Sequence, residues 1–345
     1  MKRKITAIAV LCGFCIMLSA CNTADRTTDG GEITTSEITE SSAGESAETE
    51  SVETQIETVL PESEKMTITD REGNEIEVPE QIDTVISAAP SVTEILEGLG
   101  LADKIIAADT YSSDIEGIDP SICTLDFYNL NTEELIALAP DVIIINGISD
   151  TGSADPYANL KAAGTDVVYI PSAESLDGIK ADIRFLAAYT KTEDKGEEMI
   201  NDINNAITYF TEKAASIAEK KKVYFEVGAA PYLYTTGSGT YLNEIIELIG
   251  AENIYAGESG WLSNSEETVI AADPDVIITN VNYEGYDFNE IYSRPGWENI
   301  KAIQNKNVYS VSSNATSRAT QHIVDGIAEI AYAVYPELRE ENPAV

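Results

Sequence analysis

The sequence predicts an α/β protein built from two similar lobes with a cleft between them. The segment Pro-Asp-Val-Ile-Ile-x-Asn occurs twice, at residues 140–146 and 274–280, and each copy follows a short helical pattern that opens with two glutamates. Short runs rich in Val and Ile alternate with helical patterns, which is typical of parallel sheets covered by helices on both faces. A long polar helical stretch, residues 193–222, separates the two copies. Because equivalent strand ends from two lobes can face each other, the cleft is the expected place for a ligand.

The N-terminus has the features of a processed export signal. Three basic residues at positions 2–4 precede an apolar run at 5–18, which is too short for a stable membrane anchor. The run ends in Leu-Ser-Ala-Cys, which resembles a bacterial lipobox with Cys21 as the residue that is acylated. We expect residues 1–20 to be removed and lipid on Cys21 to anchor the protein outside the cytoplasm.

Residues 21–63 are predicted to form a disordered acidic tether. They are rich in Thr, Ser and Glu, contain the single basic residue Arg26, and show no hydrophobic period. Such a segment cannot bury enough apolar surface to fold. The first lobe is therefore expected at residues 64–192 and the second at residues 223–345.

Charge and cysteine content exclude several classes of protein. The net charge of −39 argues against nucleic acid and anionic lipid as partners and disfavours an anionic ligand. Cys12 and Cys15 lie in the signal segment, so Cys123 is the one cysteine of the folded part. This excludes an internal disulfide and a cysteine-based metal site. Cys123 follows Ile122 and is interpreted as a small core residue.

The folded elements follow in order along the chain. Alternation at residues 66–78 around Glu72-Gly73-Asn74 predicts a β-hairpin. The stretch 193–222 predicts one helix of about 28 residues, roughly 40 Å long, which would join the lobes stiffly. The strands of the two lobes are predicted at residues 84–87, 105–108, 142–146 and 167–170, and at 223–227, 254–255, 276–280 and 308–311.

Candidate ligand contacts follow from the loops beyond these strands. In parallel sheets a ligand binds beyond the carboxyl ends of the strands. The loops there are rich in Gly, Ser, Asn, Tyr and Trp, which suits a bulky and partly apolar ligand. The candidate contacts are Tyr111, Asn146, Tyr232, Tyr234, Trp261, Asn280, Tyr283 and Arg318. Trp261 is placed in a loop, whereas Trp297 is expected to pack in the second lobe.

The sequence carries little that enzyme or metal chemistry would need. It has neither a Gly-x-Ser-x-Gly elbow nor a Gly-x-x-x-x-Gly-Lys loop, and His322 is its single histidine. A zinc or manganese receptor would need several nitrogen and carboxylate ligands. His322 is expected at the exposed start of a helix, and axial haem ligation is the alternative.

Several longer segments identify a family. They are Thr-Val-Ile-Ser-Ala-Ala-Pro-Ser-Val-Thr-Glu-Ile at 84–95, Leu-Asn-Thr-Glu-Glu-Leu at 130–135, Tyr-Thr-Thr-Gly-Ser-Gly-Thr at 234–240 and Gly-Ala-Glu-Asn-Ile at 250–254. In order and spacing they resemble the iron-chelate and cobalamin substrate-binding proteins of ABC importers. The resemblance implies two Rossmann-like lobes joined by one rigid helix, little closure on binding, and delivery of cargo to a permease and its ATPase.

The resemblance also implies roles for individual residues. Trp261 aligns with an aromatic position of the family's cobalamin cleft. An acidic residue near the tip of each lobe is expected to pair with permease arginines, and Glu267 and Asp155 are the candidates. Each has a structural alternative, because Asn264 and Glu267 have capping-box spacing and Asp155 precedes a proline, as at a helix start.

Two further segments bear on these roles. Ser91 and Glu94 also have capping-box spacing, which predicts a helix start. Residues 317–320 read Ser-Arg-Ala-Thr where relatives often carry Ser-Arg-Pro-Gly, so Arg318 remains and the turn that follows it does not.

We therefore expect a monomeric, non-catalytic, lipid-anchored receptor of a Gram-positive bacterium that captures a metal chelate and needs no cofactor of its own. The scarcity of basic residues favours a cobalamin-like corrinoid as cargo, with iron siderophores and haem as alternatives. A cell-surface adhesion or signalling module is the alternative class.

Overall fold

The computed structural model describes residues 66–127, 131–147 and 155–341 of the protein. These residues belong to one compact unit, Glu62–Val345. The predicted signal peptide, Cys21 and the tether lie outside the described residues. No helix in the described part of the chain combines the length and the apolar composition that crossing a membrane requires.

The described chain begins with the predicted hairpin. Strands β1 (Thr67–Thr69) and β2 (Glu75–Glu77) pair antiparallel. The carboxylate of Asp70 closes the turn by accepting hydrogen bonds from the backbone amides of Glu72 at 2.9 Å and Asn74 at 2.8 Å. Gly73 adopts φ 87°, a conformation that favours glycine. The turn presents Arg71 to the first lobe.

The first lobe contains a five-stranded parallel sheet. Its elements are β3 (Val85–Ser87), α1 (Pro90–Gly98), β4 (Ile105–Asp109), β5 (Cys123–Leu125), α2 (Thr132–Leu138), β6 (Val142–Asn146), α3 (Ala158–Ala163), β7 (Asp166–Ile170) and α4 (Leu176–Tyr189). The strand order is β5-β4-β3-β6-β7, with every pair parallel. The sequence predicts four of these strands and misses β5, whose three residues form no apolar run.

Helix α5 (Glu193–Ala214) connects the two lobes and is shorter than the predicted helix at 193–222. Its 22 residues correspond to about 33 Å. The hydroxyl of Ser216 donates to the carbonyl of Lys213 at 2.8 Å, and Ile217 packs back toward Gly250 of the second lobe. These contacts turn the chain out of the helix before the next strand begins at Lys222.

The core is continuous along α5. The buried face of the helix carries Met199, Ile200, Ile203 and Phe210. The helix contacts α4 of the first lobe and helices of the second lobe, and one hydrophobic cluster includes buried residues of both lobes. The two lobes are therefore held together by packed side chains as well as by the chain connection.

The second lobe is built from β8 to β13 and α6 to α11. Its elements are β8 (Lys222–Gly228), β9 (Tyr234–Thr236), α6 (Tyr241–Leu248), β10 (Glu252–Asn253), β11 (Trp261–Ser263), α7 (Glu266–Ala272), β12 (Val276–Thr279), α8 (Lys301–Gln304), β13 (Val308–Ser310), α9 (Ser313–Ser317), α10 (Ile323–Val334) and α11 (Glu337–Glu341).

The sheet of the second lobe is mixed, where the sequence predicts a parallel one. Its order is β11-β9-β8-β12-β13, with β10 also on β8. Strands β8, β12 and β13 are parallel, but β9 runs antiparallel to β8, and β11 runs antiparallel to β9. Residues 229–233 are too short for the crossover that a parallel neighbour needs. Tyr234 and Trp261 therefore lie in strands, which corrects their placement in loops.

The two copies of the repeated segment form equivalent strands. Strand β6 lies between β3 and β7, and β12 lies between β8 and β13. The helices before them, α2 and α7, begin at the N-caps Asn131 and Ser265 and both end in a left-handed residue, Ala139 at φ 46° and Asp273 at φ 50°. The duplication seen in the sequence is thus present in the fold, and the α/β class is confirmed.

Candidate ligand cleft between the lobes

A cavity of about 540 Å³ lies where the two lobes meet. Its wall includes the carboxyl ends of β3, β4, β6 and β7, as expected for a parallel sheet. The second lobe contributes α6, the start of β11 and the segment after α9. The volume falls within the range of small-molecule sites, roughly 300–1,000 Å³. Its aromatic wall residues are Tyr111, Phe127, Tyr157, Tyr241 and Trp261.

Trp261 forms the aromatic corner of the cleft on the second lobe. It is partly buried and meets Tyr241 edge to face, with ring centroids 5.6 Å apart and an angle of 63°. Tyr241 is buried, and its hydroxyl donates to the carbonyl of Thr316 at 3.0 Å. The hydroxyl of Tyr234 donates to the carbonyl of Trp261 at 3.1 Å. Tyr234 thus supports the tryptophan from β9 and does not itself line the cavity.

Tyr111, Tyr232 and Tyr283 are large exposed side chains. Tyr111 lines the cleft and is 64% exposed, whereas Tyr232, 86% exposed, and Tyr283, 58% exposed, lie outside its wall. The ring of Tyr283 contacts that of Tyr286 at 5.1 Å between centroids. Of the three, Tyr111 is placed to meet a ligand within the cavity, and the other two would meet only a ligand that protrudes from it.

The asparagines that end the two repeated segments have different roles. Asn146 lines the cleft and accepts a hydrogen bond from the hydroxyl of Ser172 at 2.9 Å. Asn280 is buried, and its amide donates at 3.0 Å to both the hydroxyl of Thr316 and that of Ser317. Asn280 therefore positions the segment that leads to Arg318. The sequence predicts it as a ligand contact, but it does not line the cavity.

Arg318 lines the cleft but is bound to the first lobe. Its Nη1 lies 2.7 Å from Oε1 of Glu94, and its Nη2 lies 2.7 Å from Oδ1 of Asp114. Nη2 also donates to the carbonyl of Tyr111 at 3.2 Å. Burial acts to lower the pKa of Arg318, but the bonds to both carboxylates outweigh it and raise that pKa. This ion-pair network joins the two lobes across the cleft.

Glu94 is a buried member of this network and not the end of a capping box. Helix α1 begins at Pro90, so the helix start predicted from Ser91 and Glu94 is confirmed, but its N-cap is Ala89 and no side chain caps it, so the capping box does not form. Oε2 of Glu94 accepts from the hydroxyl of Thr320 at 2.7 Å. The sequence contains a signal for this role. Glu94 lies among buried neighbours on α1, and a buried carboxylate needs a partner.

Asp182 and Arg71 form a second ion pair that the sequence analysis missed. Asp182 of α4 is buried and lines the cleft, and Nε of Arg71 in the hairpin turn lies 2.7 Å from its Oδ1. Burial raises the pKa of Asp182 to about 7, although Arg71 opposes the shift. The hairpin is therefore tied to the wall of the cleft by a carboxylate that titrates near neutral pH.

Glu226 and Arg294 form a third ion pair inside the second lobe. Oε1 of Glu226 lies 2.9 Å from Nη2 of Arg294, and Oε2 lies 2.5 Å from Nη1. The guanidinium lies 4.7 Å from the ring centroid of Trp297, which is fully buried, as predicted. The hydroxyl of Tyr286 donates to Oε1 of Glu226 at 3.2 Å. These contacts fix the loop after β12 on the sheet.

Comparison with known proteins identifies the family. The sequence profile of the periplasmic binding protein family matches residues 85–315. The chain belongs to this family. The match includes β3 to β13 and most of the cleft wall, and it confirms the resemblance predicted from the sequence.

Similar proteins belong to the same group of binding proteins. An uncharacterized ABC transporter substrate-binding lipoprotein of Bacillus subtilis, YvrC, is 29% identical over 281 residues, 80% of this chain and 87% of the relative. A vitamin B12-binding protein of Vibrio parahaemolyticus is 26% identical and covers 73% of this chain and 89% of its own length. The structure of a possible iron-binding protein of Staphylococcus epidermidis has a TM-score of 0.65 and 27% identity, covering 74% of this chain and 100% of that one.

In this periplasmic binding protein the two candidate docking acids are both exposed. Glu267 lies in the first turn of α7, where Ser265 and not Asn264 is the N-cap. A hydrogen bond from the backbone amide of Glu267 and one from Ser265 lower the pKa of the Glu267 carboxyl. Asp155 lies before α3, accepts from the amide of Tyr157 at 2.8 Å and pairs with Lys161 at 2.8 Å.

His322 lies outside the cleft wall of this periplasmic binding protein. It immediately precedes α10, as predicted, and its Nδ1 is 3.8 Å from Oδ2 of Asp325. The nearby carboxylate of Asp325 raises the pKa of His322. Within the described ranges, no group of three or more His, Cys, Asp or Glu side chains is arranged to hold a metal ion. Cys123 is a free cysteine that packs against the core.

Proposed function

We propose that this protein is the non-catalytic, extracytoplasmic receptor of an ABC importer. It captures a cobalamin-like corrinoid in the cleft between its lobes and delivers it to the permease and ATPase. The observation that carries this proposal is an aromatic cavity of about 540 Å³ between two lobes that share one core. Such a wall suits a large and partly apolar ligand held by ring contacts and few hydrogen bonds.

The charges of the wall favour a corrinoid over haem and anionic siderophores. No lysine lies among the described wall residues, and the sole arginine there, Arg318, is already bound to Glu94 and Asp114. The wall also contains the carboxylate of Asp109, and its other acid, Asp182, is paired with Arg71. An anionic chelate would have to be buried against these groups without a free cation to pair with it. A corrinoid of near-neutral charge avoids that penalty.

The mode of attachment follows from the N-terminal signal. The lipobox around Cys21 supports a lipid anchor, and the 29% identical relative from Bacillus is a lipoprotein. We infer that the protein acts as a monomer held on the outer face of a Gram-positive cell membrane by the acidic tether.

Ligand titration tests the proposal. Tryptophan fluorescence and calorimetry of the detergent-purified full chain, titrated with cobalamin, haemin and ferric siderophores, are expected to show saturable 1:1 binding of cobalamin. The signal arises because Trp261 lines the cleft, whereas Trp297 is buried in the second lobe and acts as an internal reference. Silence of both measurements for every chelate would overturn the proposal.

A further inference from the structure

Arg318 borders two cavities, and its charged group is held from the side away from the ligand cleft. A second cavity of about 590 Å³ lies next to the cleft, and Arg318 lines both. Glu94 and Asp114 line the second cavity but not the cleft. The two carboxylates therefore draw the guanidinium toward the neighbouring cavity, whose wall carries further acidic side chains at Glu97 and Glu329.

The two carboxylates are themselves fixed in place. The side chain of Glu94 is 6% exposed and is oriented by the hydroxyl of Thr320 at 2.7 Å. Asp114 accepts from the amide of Asn314 at 2.8 Å through the oxygen that does not bind Arg318. In each acid, one carboxylate oxygen binds Arg318 and the other accepts a hydrogen bond from Thr320 or Asn314. The guanidinium therefore has little freedom to turn into the cleft. Two carboxylates against one guanidinium also leave the cluster with an excess negative charge.

We propose that Glu94 and Asp114 determine the charge selectivity of the cleft. By holding Arg318 they prevent it from pairing with an anionic group of a ligand, so the cleft accepts a neutral chelate and rejects one that carries free carboxylates. The inference rests on the proposed function and deepens it, because it assigns the selection against anionic cargo to two named side chains outside the ligand cavity.

The test compares a neutral and an anionic chelate in the same protein. Cyanocobalamin is neutral overall, and haemin carries two propionates. We expect the full wild-type chain to bind haemin at least tenfold more weakly than cyanocobalamin. In the Glu94→Gln/Asp114→Asn variant, the ratio of the two affinities is expected to shift at least tenfold toward haemin. The shift is expected to shrink as salt is added, because a released guanidinium acts through charge.

Two further variants keep the test decisive. The triple variant, in which Arg318→Gln is added, is expected to lose the gain, because the gain requires the freed guanidinium. Asp114→Asn alone changes a half-exposed side chain and preserves the buried bond between Glu94 and Arg318. Its affinity ratio is expected to shift toward haemin by a smaller factor. This single variant tests the inference if the double variant fails to fold.

The failures of the two proposals are distinguishable. Wild-type protein that binds haemin as tightly as cyanocobalamin overturns the charge inference, and so does an unchanged affinity ratio in the double variant, or in Asp114→Asn where the double variant does not fold. Wild-type protein that binds no chelate overturns the proposed function. Even then, the charge inference would be supported if the double variant gained haemin binding and the added Arg318→Gln change abolished that gain. If the double variant gained no haemin binding, the charge inference would be overturned.

Discussion

At the residue scale, Trp261 and Tyr241 form an aromatic corner in the wall of the cleft. Tyr241 is buried and hydrogen-bonded to the backbone, so its ring is a fixed support. Trp261 is partly exposed and can cover a ligand with its indole face without a rearrangement of the core. A rigid aromatic side chain of this kind contributes contact area at low cost in conformational entropy.

Trp261→Ala is expected to weaken cobalamin binding by about 1–3 kcal/mol, or roughly fivefold to 150-fold. The loss arises from the removed ring contact with the ligand. Calorimetric titration measures it, since the variant lacks the reporting tryptophan of the cleft. Tyr232→Ala is the matched control, because Tyr232 is 86% exposed and lies outside the cavity wall. Equal affinities of Trp261→Ala and wild type would remove Trp261 from the binding surface.

Asp182 makes stability depend on pH. Burial raises its pKa from 3.8 to about 7, so the folded protein retains a proton that the unfolded chain releases near pH 4. The contribution of Asp182 to the free energy of unfolding therefore falls as pH rises from about 4 to about 7, and it stays constant above that range. This behaviour is opposite to that of an ordinary paired surface carboxylate.

Asp182→Asn is expected to remove this dependence. Between pH 5 and pH 8 the melting temperature of wild type should fall relative to that of the variant, on the order of 2–4 °C for each kcal/mol. Thermal unfolding followed by circular dichroism measures the difference. Asp177→Asn on the same helix is the control, because a hydrogen bond from Lys180 lowers the pKa of Asp177 and its effect lies below pH 5. If the melting temperatures of wild type and Asp182→Asn changed in parallel with pH, the raised pKa of Asp182 would be contradicted.

At the scale of elements, the aspartate of each repeated segment holds the neighbouring strand. Oδ2 of Asp141 accepts from the backbone amides of Asp83 and Thr84, both at 2.8 Å, and from the hydroxyl of Thr84 at 3.0 Å. Oδ2 of Asp275 accepts from the amide of Lys222 at 2.9 Å. In both lobes the repeated aspartate thus fixes the entry of the strand beside it, which is why β3 and β8 align with β6 and β12.

Asp141→Ala is expected to destabilise the protein by about 2–3 kcal/mol and Asp275→Ala by about 1–2 kcal/mol, because Asp141 satisfies more donors. Urea denaturation with the midpoint and slope fitted separately measures both values. Backbone hydrogen bonds also lower the pKa of Asp141, so its contribution is lost as pH falls through that lowered value. If Asp275→Ala lost more free energy of unfolding than Asp141→Ala, the number of hydrogen bonds would not explain the difference between the two variants.

The elements that depend on local pattern are the ones that the sequence predicts. Most parallel strands of the two lobes, the hairpin around Gly73 and the start of α5 follow from hydrophobic period and turn residues. The sequence does not predict β5, the antiparallel strands β9 and β11, or the early end of α5, and it predicts at residues 254–255 a strand that the structure places at Glu252–Asn253. These depend on which neighbour each segment meets, since a three-residue strand such as β11 is stabilised by its partner and not by its own composition.

At the scale of the whole molecule, α5 and the shared core hold the two lobes together. The ion pairs of Arg318 with Glu94 and Asp114 add a direct connection across the cleft. A receptor of this construction can present both lobe tips at a nearly constant separation. If Glu267 and Asp155 have the proposed docking role, they would then meet the charges of the permease together.

Glu267→Arg is expected to reduce cobalamin uptake by cells at least several-fold while leaving ligand affinity unchanged. The reason is that Glu267 is exposed on α7 and lies outside the cavity wall, so reversal of its charge affects only a docked partner. Radiolabelled uptake and calorimetry measure the two quantities. Glu252→Arg is the control, because Glu252 is exposed at the start of β10. Normal uptake by Glu267→Arg would reject the docking role.

The sequence by itself determined the two-lobed α/β class and the repeated strands, because these depend on periodicity and on residues close together in the chain. The tertiary structure alone decided the partners of the charged groups. Glu94 and Arg318, Arg71 and Asp182, and Glu226 and Arg294 are far apart in sequence, and in each pair packing buries the carboxylate and brings the guanidinium to it. For that reason Arg318, predicted as a ligand contact, is found bound across the cleft.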